Sequence, residues 1–510
     1  MRRLLLDLPL FVLLLAVAAL AMLVPAGFAA TVGEHQEMRA FFYSAVLLGT
    51  VSGFAAIATH GRPVRRQGRT HLITLLATYL VIPVVLAVPV VEAVRDTSFM
   101  NAWFEMVSAL TTTGATVFED PERLGRSVHL WRALVGWLGG FLAWVTAIAI
   151  MAPLNLGGFE VLNPAPVGGG NRVFGTTASA LPGDTPTAAE RLMHFTTRLL
   201  PVYTGLTTVL WVALTVLGET PFVAFCHAMS TMATSGISPV GGLSGASGVI
   251  GEGLVFLFLL FALSRQTFTT DARGDDTEAL RTDPEFRLGL LIVLVVPVLI
   301  FLHHWVGVLD LPEGAERPGG LAAFWGGLFT TMSFLTTAGF ESDYWDAAQL
   351  WSGLETPGLM LLGLSIFGGG VATTAGGVKL LRVYALYRHG QRELDKLVFP
   401  NSVAGAGARD RHFRRQGAYV AWVFFMLFAM SIAMVMAMLG FFHLSFEEVT
   451  VLTVAALSTT GPLASVAADT PLSYAALPAG AKAILAGTMV LGRLEMLVIV
   501  ALINPLNWRQ

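Results

Sequence analysis

Four short stretches of this chain place oxygen-bearing residues just ahead of a glycine. They are Ser108-Ala-Leu-Thr-Thr-Thr-Gly114-Ala-Thr116, Ser230-Thr-Met-Ala-Thr-Ser-Gly236-Ile-Ser238, Ser333-Phe-Leu-Thr-Thr-Ala-Gly339-Phe340 and Ala456-Leu-Ser-Thr-Thr-Gly461-Pro-Leu463. A potassium ion stripped of water needs rings of oxygen ligands, best supplied by backbone carbonyls facing a common axis. Turning successive carbonyls inward requires torsions that glycine adopts cheaply, and threonine hydroxyls offer one more ring. A single Thr-Thr-Gly in a membrane protein is ordinarily a turn or a close helix contact. Here the glycines lie 122, 103 and 122 residues apart, so the stretches read as one unit repeated four times within the chain. One loop gives a quarter of a ring, and four close it.

The elements that position these loops follow from composition. Of 510 residues, 55% are hydrophobic and 13% charged, about half the charge of a soluble globular chain. The net charge of -3 argues against nucleic acid as a partner, and the one cysteine, Cys226, excludes a disulfide framework or cysteine metal cluster. Ten stretches read as membrane spans: 7–30, 37–59, 72–94, 131–153, 192–217, 251–268, 287–309, 355–385, 416–442 and 479–503. The first, behind Arg2 and Arg3, is longer than a secretory signal core and is followed by a second apolar run, so it is expected to be retained. Between spans lie four shorter apolar segments, 99–111, 221–233, 322–336 and 446–458, each running into one of the glycine stretches. Non-helical backbone at membrane depth is tolerated only against protein or an aqueous path. The expected fold is therefore an all-α integral membrane protein with four helix–re-entrant loop–helix repeats and an N-terminal pair of spans.

The boundaries expected are a helix pair at 1–71, then repeats at 72–153, 191–268, 287–385 and 416–510. Linkers at 154–190, 269–286 and 386–415 join them, the last strongly basic and suited to anionic lipid or to a protein partner. Loops assigned to the inside hold 20 of the 31 basic residues. Those assigned to the outside hold five: Arg95, Arg123, Arg126, Arg132 and Arg317. By the positive-inside rule both termini lie inside and all four re-entrant segments enter from outside. Outer-loop acids, including Glu119, Asp120, Glu341, Asp343 and Asp346, would enrich cations at the entrance or serve as ordinary solvated charges.

Two features interrupt the apolar spans. The run Gly368, Gly369, Gly370, Thr373, Thr374, Gly376, Gly377 crosses the 355–385 stretch. A continuous helix should not hold so many glycines, each costing about 1 kcal/mol against alanine. The spacing is not that of a phosphate loop, which leaves a flexible loop or a glycine-rich helix contact. Arg493 lies inside the last span, where a charge must face a cavity or a partner. Glu495, two residues on, is not expected to share its helix face. His303 and His304 diverge on a helix and have no carboxylate at ligand spacing, so no metal site is expected there.

The motifs Ala-Leu-Thr-Thr-Thr-Gly114-Ala-Thr, Ala-Thr-Ser-Gly236, Thr-Thr-Ala-Gly339-Phe and Ser-Thr-Thr-Gly461-Pro resemble those of the TrkH/KtrB superfamily of potassium transporters over about residues 72–503, and the extra N-terminal pair resembles its TrkH branch. The resemblance implies a filter built from Thr112, Thr113, Gly114, Thr234, Ser235, Gly236, Thr337, Ala338, Gly339, Thr459, Thr460 and Gly461. Glycine in all four loops goes with potassium preference there, as against the serine of sodium-selective plant relatives. It also implies that the glycine-rich run is a mobile loop obstructing the pore, with Arg493 projecting below the filter. Further implications are a homodimer in the cytoplasmic (inner) membrane and a nucleotide-binding cytoplasmic subunit of the TrkA type. No cofactor of the chain's own is implied, and potassium is the substrate. Sodium- or proton-coupled symport with the same filter is the alternative mode. An organic-solute transporter would show two related halves and a charged site, and an intramembrane enzyme would need convergent His, Asp, Glu or Ser groups. The spans carry neither pattern.

Overall fold

The computed structural model describes residues 9–59, 68–154, 156–161, 172–173, 176–177, 188–243, 247–264, 283–307, 319–354, 356–398, 417–468 and 470–496. Most of the 154–190 and 386–415 linkers and everything beyond residue 496 lie outside these residues. The described chain is helical apart from one antiparallel pair of two-residue strands, Arg172–Val173 with Thr176–Thr177. Seven of its helices are long and apolar enough to cross a membrane.

The N-terminal pair is α1 (Leu10–Val32) and α2 (His35–Thr59), turning at Gly33 in left-handed conformation. The first repeat is α3 (Gly68–Ala93), the short α4 (Phe99–Leu110) and α5 (Arg126–Thr146), which continues as a π turn over Ala147–Met151. The second is α6 (Ala188–Val216), short α7 (Pro221–Ala233) and α8 (Gly248–Leu259). In the third, α9 (Pro284–Gly307) and short α10 (Gly320–Leu335) are followed by α11 (Trp345–Ser352), α12 (Gly358–Phe367) and α13 (Leu380–Val398). The fourth is α14 (Gly417–Leu439), short α15 (Phe446–Leu457), a single turn α16 (Leu463–Val466) and α17 (Ala479–Leu494).

Packing follows a cyclic rule. Within each repeat the short helix packs on the long helix after it: α4 on α5, α7 on α8, α10 on α12 and α15 on α17. Each of those long helices also packs on the short helix of the next repeat: α5 on α7, α8 on α10, α12 on α15 and α17 back on α4. The last contact closes a ring of four around one axis. Small residues permit these approaches: a side chain at Gly139 would strike the Leu110 carbonyl, and one at Gly492 the Leu457 carbonyl.

Three expected spans are shorter than the sequence suggests. The 355–385 stretch is two helices separated by the glycine run, the 251–268 stretch stays helical only to Ala262, and the 479–503 stretch breaks at Glu495, with Met496 helical again and the remainder outside the described residues. Arg126 and Arg132 belong to α5 rather than to an outer loop. Arg132 is buried, and its Nε donates to Glu105 Oε1 of α4 at 2.6 Å. The α5 N-terminus is held from the helix pair, where the Glu34 carboxylate accepts the backbone N–H groups of Arg126 and Ser127 at 2.8 and 3.0 Å. A carboxylate there satisfies orphan donors and the helix dipole together.

Candidate functional site

All four short helices end in the same way. The N–H groups of Thr112, Thr234, Thr337 and Thr459 reach back three residues, to the carbonyls of Ala109, Thr231, Phe334 and Ala456. Those of Thr113, Ser235, Ala338 and Thr460 reach back five, to Ser108, Ser230, Ser333 and Ala455. This is the Schellman termination, whose left-handed residue is usually glycine. Here it is threonine each time, at φ 55°, 49°, 58° and 55°. Left-handed torsions cost an L-residue roughly 1–2 kcal/mol, and a β-branched residue there is an outlier. Strain of that kind recurs at four equivalent positions, as happens where the surrounding structure over-determines the backbone.

Two residues later the chain is left-handed again at Gly114, Gly236 and Gly339, with φ 74°, 64° and 77°, while the intervening residue is not. Alternating torsions of this kind turn successive carbonyls to one side of the chain. Gly461 departs from the pattern with a negative φ, because the following Pro462 biases it toward extended conformation.

The loops then touch in cyclic order. A Cβ on Gly114 would strike the Ser235 carbonyl oxygen, one on Gly236 the Ala338 carbonyl, one on Gly339 the Pro462 ring and one on Gly461 the Ala115 backbone. The Gly461 N–H also donates to the Thr113 carbonyl at 2.6 Å, and the Tyr474 hydroxyl donates to the Gly461 carbonyl at 2.9 Å. Side-chain hydroxyls beside the glycines turn back into their own repeats. Thr113 bonds Thr111 at 2.8 Å, Ser235 bonds Ser230 at 3.1 Å and Thr460 bonds Ser458 at 3.2 Å. The short helices aim their C-terminal, partially negative ends into this ring.

The glycine run lies directly beneath. Thr337 Oγ1 accepts the Gly376 N–H at 2.7 Å, Thr234 Oγ1 donates to Thr374 Oγ1 at 3.3 Å, and a side chain on Gly376 would meet Ser458 and Thr459. Arg493 Nη1 donates to the Thr374 carbonyl at 2.6 Å. The run is also held from its flanks: Gly370 N–H donates to Ala262 O at 2.9 Å and Val371 N–H to Glu285 Oε1 at 3.0 Å. Gly368 and Gly377 are both left-handed and sit so close that neither tolerates a Cβ. Below is a cavity of about 30 Å³ whose lining includes Tyr79, Thr146, Thr373, Lys379, Arg493 and Glu495. The twelve loop residues and the glycine run thus come together as one stack, with Arg493 against its lower layer.

Sequence reasoning did not show how the charges around the stack pair. Glu495 adopts φ 64° just past the end of α17, and its Oε2 accepts from buried Arg382 at 2.7 Å. The Arg382 guanidinium lies 3.7 Å from the Phe424 ring centre. Lys379 is buried, and its Nζ donates to the Ala375 carbonyl. Arg382, just past the glycine run, and Glu495, just past Arg493, were visible in the sequence, but their pairing across 113 residues was not. His303 donates from Nδ1 to the Ser352 carbonyl at 2.7 Å, and no group of potential metal ligands occurs among the described residues.

Comparison with known proteins agrees with this architecture. The family model described as "TrkH: Cation transport protein" matches residues 322–506. The Trk system potassium uptake protein TrkH of Vibrio parahaemolyticus is 30% identical over 423 residues, covering 81% of this chain and 80% of that protein. TrkH of Escherichia coli K12 is 27% identical over 504 residues, covering 96% of each. The crystal structure of the potassium transporter TrkH from Vibrio parahaemolyticus aligns with a TM-score of 0.82 at 25% identity, covering 99% of both chains. With four strained loops closed into a ring and relatives matched along their length, the chain belongs to the TrkH family of cation transport proteins.

Proposed function

We propose that this protein takes up potassium across the cytoplasmic membrane through the ring of four loops, with both termini inside. The observation that carries this reading is the cyclic closure of four loops that share one strained termination. Backbone carbonyls of Thr112 to Gly114, Thr234 to Gly236, Thr337 to Gly339 and Thr459 to Gly461 replace the hydration shell, except that Thr113 and Gly461 each spend one carbonyl lone pair on an internal hydrogen bond. The potassium uptake for which the relatives are named favours potassium over other cations.

The glycine run is the gate in this reading. Its hydrogen bonds to Thr234, Thr337 and Arg493 hold it under the filter, and the Arg493 charge opposes a cation leaving downward. Opening requires the run to withdraw, for which its glycines supply the torsional range. The division into four repeats and three cytoplasmic linkers belongs to the same proposal, as does a homodimer bound to a nucleotide-sensing cytoplasmic subunit. Tyr387, Leu394, Leu397 and Val398 stand exposed on α13, the helix that leads away from the gate, which suits a protein partner.

Purified protein in liposomes tests the reading through uptake of potassium, rubidium, sodium and lithium. Potassium and rubidium uptake well above sodium and lithium supports it. Absence of uptake for every alkali cation, with or without the cytoplasmic partner, overturns it.

A further inference from the structure

The residue nine positions before each loop glycine is Glu105, His227, Thr330 and Leu452 in the four repeats. The first three are buried and polar, and each reaches forward to the segment leaving the loop. Glu105 Oε2 accepts the Val117 N–H at 3.0 Å and the Thr116 hydroxyl at 3.2 Å. His227 Nε2 donates to Ser238 Oγ at 2.9 Å, since that hydroxyl itself donates to the Gly242 carbonyl. Thr330 Oγ1 accepts the Ser342 N–H at 3.4 Å. The anchored residues are therefore two or three positions past the glycine in every case. Two of the anchors have a buried partner on their other side: Glu105 forms an ion pair with Arg132 at 2.6 Å, and His227 Nδ1 lies 2.8 Å from Glu219 Oε1. The fourth repeat has an apolar residue at this position and ties its glycine carbonyl to Tyr474 instead.

We infer that Glu105, His227 and Thr330 are positioning residues that set the width of the cation ring, a role that rests on the pore reading above. Each spans its loop like a strut between the short helix and the exit strand, so the glycine carbonyls cannot relax toward a smaller ion. Dehydrated sodium is smaller than potassium, and a ring that cannot contract coordinates it poorly. Loosening any strut lets the loop collapse onto sodium. The ion pair with Arg132 stiffens the first strut, because an ionised hydrogen bond is shorter and about twice as strong as a neutral one, and the bond to Glu219 fixes the ring of the second. None of the three touches the ion.

The test is the potassium-to-sodium uptake ratio in liposomes for wild type, Glu105→Gln and His227→Gln, with Thr207→Val as a control. Thr207 accepts the Trp137 Nε1–H at 3.0 Å, a bond between α5 and α6 in which no loop residue takes part. The inference expects the ratio to fall at least fivefold in each strut variant while the control keeps it, whatever happens to total flux. A role in folding alone lowers flux and folded yield together and leaves the ratio untouched, which overturns the inference. Thr330→Val, which removes one hydroxyl, decides the matter if both charged variants fail to fold, a twofold fall or an unchanged ratio being the two results. Wild-type protein that passes no alkali cation defeats the pore reading itself, a separate result.

Discussion

The backbone N–H of Gly461 donates to the carbonyl oxygen of Thr113 at 2.6 Å, joining the last loop to the first. A chain with four repeats could leave an open row of loops. This bond, with α17 packed on α4, makes a closed ring instead. The cost is symmetry, since Gly461 adopts a negative φ and Pro462 follows it. The Pro462 ring lies against the glycines of the second and third repeats, so the fourth loop acts as a wedge among the others.

Ring closure makes Gly461 sensitive to a single methyl group. In Gly461→Ala the new Cβ meets the Ala115 backbone, which no rotamer change can relieve. Overpacking of this kind costs about 1–3 kcal/mol. The variant is expected to melt several degrees lower and to lose most uptake. In the same assays Gly487→Ala should match or exceed wild-type stability, because nothing lies within 4 Å of its Cβ and alanine favours the helix.

The lower layer predicts gain of flux rather than loss. Thr337→Val removes the acceptor that holds the Gly376 N–H, and a hydrogen bond of net worth about 1 kcal/mol shifts the gate roughly fivefold toward open. Arg493→Gln removes both the bond to Thr374 and the opposing charge, so it should raise basal uptake at least as much. Rubidium uptake without the cytoplasmic partner measures both. Lower uptake from equal amounts of folded protein would count against the gate assignment.

Glu495→Gln probes the charges flanking the gate. Breaking one side of a buried ion pair costs about 3–5 kcal/mol, and a neutral amide in place of the Glu495 carboxylate leaves the buried Arg382 guanidinium without the negative charge at 2.7 Å. Thermal stability should fall sharply, and Arg382→Gln/Glu495→Gln should recover part of the loss. Double variants no better than the single one would show that the pair contributes little.

The outer mouth should respond to acid. Glu341 lies two residues past Gly339, and its pKa is raised above the usual carboxylate range by burial first, with Asp346 adding to the rise and the Ser465 hydroxyl opposing it. It therefore takes up a proton at higher pH than an ordinary glutamate, and the mouth loses negative charge as pH falls. The KM for potassium should rise roughly twofold or more from about pH 8 to about pH 5. Glu341→Gln should remove that part of the dependence and resemble wild type at low pH. An identical pH profile in the variant would assign the effect elsewhere.

Much of this was legible in the sequence because repeats and span lengths are local patterns. The four short helices begin and end within a few residues of where apolar runs meet Ser, Thr and Gly, and the break at 368–377 follows from glycine content alone. The left-handed torsions of Thr112, Thr234, Thr337 and Thr459 were not legible, since threonine is among the residues least suited to them. Tertiary contacts impose them. Arg132 read as an outer-loop cation because its partner Glu105 is distant in sequence. The break in the last span at Glu495, beyond which Met496 is helical again, has no glycine or proline at its position. It coincides with Glu495 turning aside to meet Arg382, a contact formed only in the folded chain.

The central claim is that cations pass along the axis of the four-loop ring. Crystals or particles of the protein soaked in thallium or rubidium salts locate the ions directly, by anomalous scattering or by difference density. The account predicts ion peaks on the axis enclosed by Thr112–Gly114, Thr234–Gly236, Thr337–Gly339 and Thr459–Gly461, weakened in Gly114→Ser. Ions bound elsewhere in the membrane region, with that axis empty at saturating salt, would contradict it.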